Sequence, residues 1–469
     1  MPLSASRSAI AAAFTGIALL LAGCQSYQSK PLDLPAHRQA WLDRTPADES
    51  VQAFAESLQE PSEPATFDPS DGLSLAEAEI VALMFNPDLR LARLRAGVAS
   101  ATAEHAGLWE DPQFSIDVLR ITENVSTPWV VTPGLSFTIP LSGRLEVEKQ
   151  RAEASLRAEF TRVAEQEWET RVELRRAWLR WSAARLRAER TEALLASIES
   201  LVESTAKLAE AGELPRTEAT LFTIEQSSQA RALLRYRGEA AETEQHLRML
   251  MGLSPLAPLD LEPTLVGVDL PEAIRCEAFA ECNLTLERLR EEYMVAERAL
   301  EREIRKQYPD LTLGPLYEND QGQSRIGLLG AIPLPILNAN KQGIAEADAE
   351  RELARAAFET EYEQVAGLLA AVRARYETLH DQRSLYEAEI VPLVDRQLAD
   401  ARRLLELGEG GGLVLLESLT RVQETQMDLI EARLRESLTV TELAGLIGPP
   451  PPTSNDPETE AYSTDEVTP

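Results

Sequence analysis

The sequence predicts a mainly α-helical chain with a small β part, its two halves built on one plan. Three observations predict this. The first is composition: of 469 residues only 5% are aromatic, while 26% are charged. Ala, Leu, Arg and Glu fill long runs, a mixture that suits long helices and coiled coil better than an ordinary globule. The second is repetition. "TPGLSFTIPLSGRLEVEKQRAEA" at residues 132–154 is answered by "RIGLLGAIPLPILNANKQGIAEADAE" at 325–350. Their flanks give an offset near 195: "LRLARLR" at 89–95 answers "LTLERLR" at 284–290, and Gly252 matches Gly448. A repeat this long is a duplicated structural unit and not a solenoid motif. The third is a change of period, because each half switches from helical spacing to a short alternating stretch and back.

Residues 1–23 read as a targeting segment. One charged side chain, Arg7, precedes an apolar run from Ala9 to Ala22, too short for a membrane span and typical of a secretory signal. The run ends in "LLLAGC", which resembles the lipobox of bacterial lipoproteins. That resemblance implies cleavage before Cys24 and a covalent lipid on its thiol. Two or more acyl chains anchor stably where one does not. Gln25 stands where Asp would signal inner-membrane retention, which favours the outer membrane.

The chain then runs in order. Residues 25–72 are rich in Pro, Ser, Asp and Glu and predict an extended or loosely helical arm with Trp41 and Phe54 as anchors. Ser74 and Glu77 form a capping box at the next helix, and Pro87 breaks or restarts it. Phe114, Ile116 and Val118, then Leu135, Phe137 and Ile139, alternate as one hairpin. Leu311, Leu313 and Tyr317, then Ile326, Leu328 and Ile332, make a second. Two lone hairpins are marginal, so they need each other or other subunits. Residues 141–208 contain no Pro and predict a helix of roughly 100 Å. Leu179 and Leu186 are a heptad apart, as are Leu194, Leu201 and Leu208, the spacing of supercoiled helices. Gly212 caps this helix before Pro215 opens the next. The second half repeats the programme, with helices over about 283–307 and 339–407, a kink at Pro392, and "LGEGGG" at Gly408 replacing the first turn. Repeated Pro, Ser, Thr, Asp and Glu predict disorder over 449–469.

Several function classes are disfavoured. The net charge of −31, without a basic patch or interleaved aromatics, speaks against nucleic acid. A phosphate loop ending in "GKS" or "GKT" is absent. His37, His105, His246 and His380 are far apart, and no nucleophile–base constellation stands out, so no catalytic or metal site is expected. "CEAFAEC" allows a disulfide between Cys276 and Cys282 if the chain turns there, whereas an uninterrupted helix would put them on different faces.

Taken together, the lipobox, duplicated halves, one hairpin per half and Gly-bearing helix turns resemble the outer-membrane factor family, the TolC-like proteins, over roughly 72–448. "IPLSGRLEVEKQRAEA" and "IPLPILNANKQGIAEADAE" are similar to the branch related to the cobalt–zinc–cadmium outer-membrane component. "GLWEDPQFSIDV" departs from the family's "NP-x-L-S" at Glu110–Asp111–Pro112. The resemblance implies a homotrimer in which each chain gives four strands to a twelve-stranded outer-membrane β-barrel and long α-hairpins to a periplasmic α-barrel. It implies that Pro140, Pro333 and Pro335 redirect the chain from barrel to helix, and that Gly212 and Gly408 mark turns at the periplasmic tip. The expected division is a signal peptide at 1–23, a lipid-anchored arm at 24–72, a first repeat at 73–252, a linker at 253–268, a second repeat at 269–448 and an acidic tail at 449–469. The implied function is an exit duct of a tripartite efflux pump, for divalent metal cations, without cofactor. The expected partners are outer-membrane lipid, a periplasmic adaptor and an inner-membrane resistance–nodulation–division transporter, or an export ATPase. Multidrug efflux, type I peptide or protein secretion, and a lipid-anchored coiled-coil scaffold are the alternatives.

Overall fold

The computed structural model describes residues 27–58, 67–125, 128–265, 279–320, 323–407 and 411–449. The chain divides into two compact units, residues 1–44 and 45–469. The first holds helix α1 (Leu34–Leu42), whose N-cap Asp33 accepts a 3.0 Å hydrogen bond from the Ala36 N–H.

The second unit contains the rest. Helices α2 (Glu49–Leu58), α3 (Leu75–Phe85) and α4 (Pro87–Glu104) lead into strands β1 (Gln113–Arg120) and β2 (Trp129–Ile139). Helices α5 (Arg144–Glu210) and α6 (Arg216–Leu250) follow. The second half has α7 (Phe279–Cys282), α8 (Leu284–Arg305), β3 (Leu311–Asp320), β4 (Gln323–Ala331), α9 (Lys341–Leu385), α10 (Val391–Glu406) and α11 (Gly412–Ile447). Among the described residues no helix is long and apolar enough to cross a membrane.

Helix α5 is the spine. Its 67 residues span about 100 Å at 1.5 Å each, and it packs against α3, α4, α6, α8 and α11. Near its middle Trp178 is fully buried and meets Trp181 edge-on at 5.6 Å between ring centroids, the geometry favoured by the aromatic quadrupole. Leu174, Leu247, Met251 and Leu253 complete this core, and Val51 of α2 joins it. Within the segment expected to be an extended or loosely helical arm, α2 is thus helical and Val51 packs into this core. Leu179, Leu194 and Ile198 are buried at their helical spacing, but Leu208, close to the end of α5, is exposed.

The duplication is visible as one hydrogen-bonding device built twice. Asn86 ends α3 and caps α4, its Oδ1 accepting from the N–H groups of Asp88 and Leu89, while its Nδ2 donates to the Leu250 carbonyl at 2.8 Å. Asn283 caps α8 through the Leu286 N–H and donates to the Leu446 carbonyl at 2.7 Å. Beside these bonds stand Gly252 and Gly448, both at positive φ, where an added Cβ would lie 2.0 Å from the carbonyl oxygens of Phe85 and Cys282 respectively. Only glycine tolerates both the conformation and the approach. This pairing equates Leu89 with Leu286, an offset of two residues more than the text alignment of "LRLARLR" with "LTLERLR". Sequence similarity there follows the charged surface, while the cap follows the buried leucine.

Pro392 does perturb its helix, in a particular way. It lies in the first turn of α10, and the turn before it, Tyr386–Ile390, is π-helical, with the Val391 N–H donating to the Tyr386 carbonyl. Proline has no N–H to offer the preceding turn, and a one-residue widening absorbs the mismatch.

Candidate functional site

The four strands form one antiparallel sheet in the order β1-β2-β3-β4, so the two hairpins pair with each other through β2 and β3. Register decides what each face carries. Phe114 is opposite Leu135, Val118 opposite Val131, Phe137 opposite Leu313, and Tyr317 opposite Ile326. Directly opposed residues share a face and alternate residues share a face. Every residue of the alternating apolar set within the strands therefore falls on one side. Phe114, Ile116, Val118, Val131, Ile326 and Leu328 are all exposed there. The other side carries Ser115, Asp117, Thr132, Ser136, Thr138, Thr312, Glu318 and Arg325, with Leu119, Val130, Leu316 and Leu329 as apolar exceptions. Arg325 pairs with the opposed Glu318 at 3.6 Å, and Asp117 is opposite Thr132.

The dimensions fit a bilayer. Strand β2 has 11 residues; at about 3.3 Å per residue and a tilt near 40°, it projects to roughly 28 Å, close to the height of an outer-membrane apolar band. Trp129 closes the loop end of the apolar face, and the Arg120 guanidinium lies over its ring at 5.6 Å. At the inner strands the backbones come very close: a Cβ on Gly314 would lie 1.8 Å from the Leu135 carbonyl oxygen. Glycine at such a place lets a strand bend sharply without losing its partner. Strands β1 and β4 are the sheet's edges, and among the described residues neither has an outer neighbour.

At the other end the strands meet the long helices. Pro140 follows β2 directly, and Pro333 and Pro335 lie between β4 and α9. The helix after each hairpin begins from a left-handed residue, Gly143 (φ 68°) before α5 and Asn340 (φ 53°) before α9. Arg144, the first residue of α5, reaches the approaches to both outgoing strands. Its Nη2 is 2.8 Å from Glu110 ahead of β1 and 3.0 Å from Asp310 ahead of β3. Burial alone would lower its pKa, yet the bonds to Glu110 and Asp310 raise it. The Asn340 Nδ2 donates to the Glu303 carbonyl at 2.8 Å and to its carboxylate at 2.9 Å. Lys306 and Arg302 bind the same carboxylate at 2.6 and 2.8 Å. Burial works against the charged form of Glu303, but these hydrogen bonds win and hold its pKa at about 2. Arg302 also reaches Glu148 on α5 at 3.1 Å. Two charge clusters thus fix the sheet to the helices at the level where the chain changes from strand to helix.

Gly212 lies at the opposite end of α5. At φ 77° it allows its own N–H to reach the Ala209 carbonyl at 3.3 Å and the Glu213 N–H to reach the Leu208 carbonyl at 2.9 Å, the two bonds of a Schellman cap. Near this end Leu194, Ile198, Ala401, Leu415 and Leu419 share one small core from both halves. Gly408, Cys24 and Cys276 lie outside the described residues. Cys282 ends α7 as a free, partly buried thiol. Among the described residues no group of acids, histidines or cysteines is arranged to hold a metal. His380 binds the Glu436 carboxylate at 2.9 Å, a structural role.

Known proteins match this arrangement. Residues 81–253 match the family described as "Outer membrane efflux protein". The solved structure of CusC, described for its transmembrane channel formation, superposes with a TM-score of 0.68 at 16% identity, covering 91% of this chain and 99% of that one. The fold is that of an outer-membrane factor. The CmeC outer membrane channel of Campylobacter jejuni gives 0.68 at 13% identity, covering 91% and 94%. The outer membrane protein VceC of Vibrio cholerae gives 0.66 at 17% identity, covering 80% and 96%. No curated protein sequence matches. The family match over 81–253 and the shared fold agree with the family expected from the repeats.

Pro140, Pro333, Pro335 and Gly212 stand out in the sequence, whereas the side chains that lock the strand-to-helix junctions do not. Arg144, Asp310, Glu303 and Asn340 look like four more polar residues in a chain rich in them. Glu110 left one trace, since it is part of the "WEDP" departure from the family pattern, and it proves to be a partner of Arg144.

Proposed function

We propose that three copies of this chain close a twelve-stranded barrel in the outer membrane and form the exit channel of a tripartite efflux pump for divalent metal cations. The observation that carries this reading is the sheet: one apolar face, one polar face, about a membrane in height, with both edges open. A bilayer accepts a sheet only when its edges are closed. Four strands are too few to close on themselves around a conduit, and repetition around a symmetry axis supplies the rest. The apolar face meets lipid, and the polar face lines the lumen.

The chemistry is passage without a covalent step. The helices extend the conduit through the periplasm, where an adaptor joins it to a resistance–nodulation–division transporter that supplies the energy. Lumen-facing Asp117 and Glu318 favour cations electrostatically. The branch resemblance of "IPLSGRLEVEKQRAEA" and "IPLPILNANKQGIAEADAE" supports metal ions as the solute. Cys24 carries lipid that holds the N-terminus at the membrane. The test is a deletion strain compared with its parent for efflux of zinc, cobalt and cadmium and of several organic drugs. Loss of metal tolerance alone is the expected result; a defect confined to organic compounds would remove the metal assignment and leave the channel.

A further inference from the structure

We propose that the strand-to-helix linker of the second repeat is a membrane anchor, inserting its apolar side chains among the lipids at the helix-side surface of the membrane that holds the sheet. This rests on the membrane reading given above. The duplication supplies an internal measure of what the connection requires. The first repeat passes from strand to helix in residues 140–143. The second uses residues 332–340, although both finish on a left-handed residue that starts a long helix. The added length is not needed to make the connection, so another demand has shaped it.

Its chemistry indicates that demand. Residues 332–340, "IPLPILNAN", carry no charge in a chain of which 26% is charged. Leu334, Ile336 and Leu337 are 71, 81 and 92% exposed. The backbone is tightly folded there, the Ile336 N–H donating to the Leu334 carbonyl at 2.9 Å. The other three strand ends on this side carry exposed counterparts: Trp109 before β1, Leu141 after β2 and Tyr308 before β3. Exposed aliphatic or aromatic side chains thus form a collar near all four strand ends on this side. Beside it lie the charges of Arg144, Glu110 and Asp310 and those around Glu303. Aliphatic and aromatic side chains bounded by a charged layer are what a protein presents where hydrocarbon gives way to water. A second copy of the chain is the competing occupant. It would reach the ends of the edge strands β1 and β4, but the collar includes Leu141 after β2 and Tyr308 before β3, the inner strands.

The test uses the full-length protein in vesicles of phosphatidylethanolamine and phosphatidylglycerol. An environment-sensitive fluorophore is placed on Leu337→Cys in a Cys276→Ser, Cys282→Ser background, and the signal of the same protein without Leu337→Cys is subtracted. Ile116→Cys, on the apolar face of the sheet, is the reference. The expected result is a blue-shifted Leu337 label that lipids brominated near the headgroup quench to the same fractional loss as the reference. A label quenched by aqueous iodide overturns the anchor. So does a label protected from both quenchers, which would place Leu337 against another subunit. If the Ile116 label is also untouched by brominated lipid, the membrane reading of the sheet fails with it; if only Leu337 is untouched, the anchor alone falls.

Discussion

Glu303→Gln isolates the contribution of one junction to the fold. The carboxylate lies at the end of α8, is 9% exposed, and is bound by Lys306, Arg302 and Asn340. Its pKa is lowered from 4.5 to about 2. At about 1.4 kcal/mol per unit this depression is worth on the order of 3 kcal/mol at neutral pH. The folded pKa lies below the unfolded one. The stabilisation is therefore present above pH 4.5 and is lost as pH falls through 4.5 toward 2. In Glu303→Gln the charge is gone, so this contribution is missing at pH 7 and the slope between pH 4.5 and 2 is flatter. Thermal unfolding of the detergent-solubilised protein at steps between pH 7 and pH 2.5 measures both effects. Hydrogen exchange then locates the loss: amides at the start of α9, held through Asn340, are expected to lose protection first. Wild-type and variant pH profiles that run parallel would refute the reasoning, because the bonds would then have no preference for the ionised carboxylate.

Other outcomes follow from the same geometry. Gly252→Ala and Gly448→Ala are each expected to destabilise by about 2 kcal/mol or more, since each combines a left-handed backbone with a carbonyl oxygen 2.0 Å from the new Cβ; equal losses in chemical denaturation would confirm that the two closures are equivalent. Arg144→Met removes the link between the approaches to β1 and β3, and heat-resistant oligomers on semi-native gels should dissociate at lower temperature than wild type. Asp117→Asn with Glu318→Gln should reduce cation-over-anion selectivity in bilayer recordings without reducing membrane insertion, and unchanged reversal potentials would remove these residues from the lumen. Pro392→Ala restores the missing N–H and should convert the π turn at 386–390 to α-helix, read as slower amide exchange there.

Much of this fold was legible in the sequence because its signals are local. Alternation placed Phe114, Ile116 and Val118 on a strand, and register then put them with Leu135 and Phe137 on one face. Glycine in the helix turn foretold the positive φ of Gly212. What stayed hidden depends on partners distant along the chain. Asn86 binds Leu250, Asn283 binds Leu446, and Arg144 binds Asp310, and no local pattern announces any of the three. The alignment of the halves slipped by two residues because charged repeats such as "LRLARLR" look alike in more than one register, whereas the buried Leu89 and Leu286 have only one. Over 25–72 the sequence left extended chain and loose helix both open, and its polar composition gave no sign that Val51 and Ala55 of α2 are buried.

In the proposed assembly several copies of this sheet close around a water-filled lumen. Single-channel recording of the purified protein in planar phospholipid bilayers tests it most directly. Discrete conductance steps that favour cations are expected, with smaller selectivity when Asp117 and Glu318 are neutralised. Protein shown to be inserted in the bilayer that passes no ions, in wild-type form and with its helical turn at Gly212 disrupted alike, would contradict it and favour a scaffold that encloses no channel.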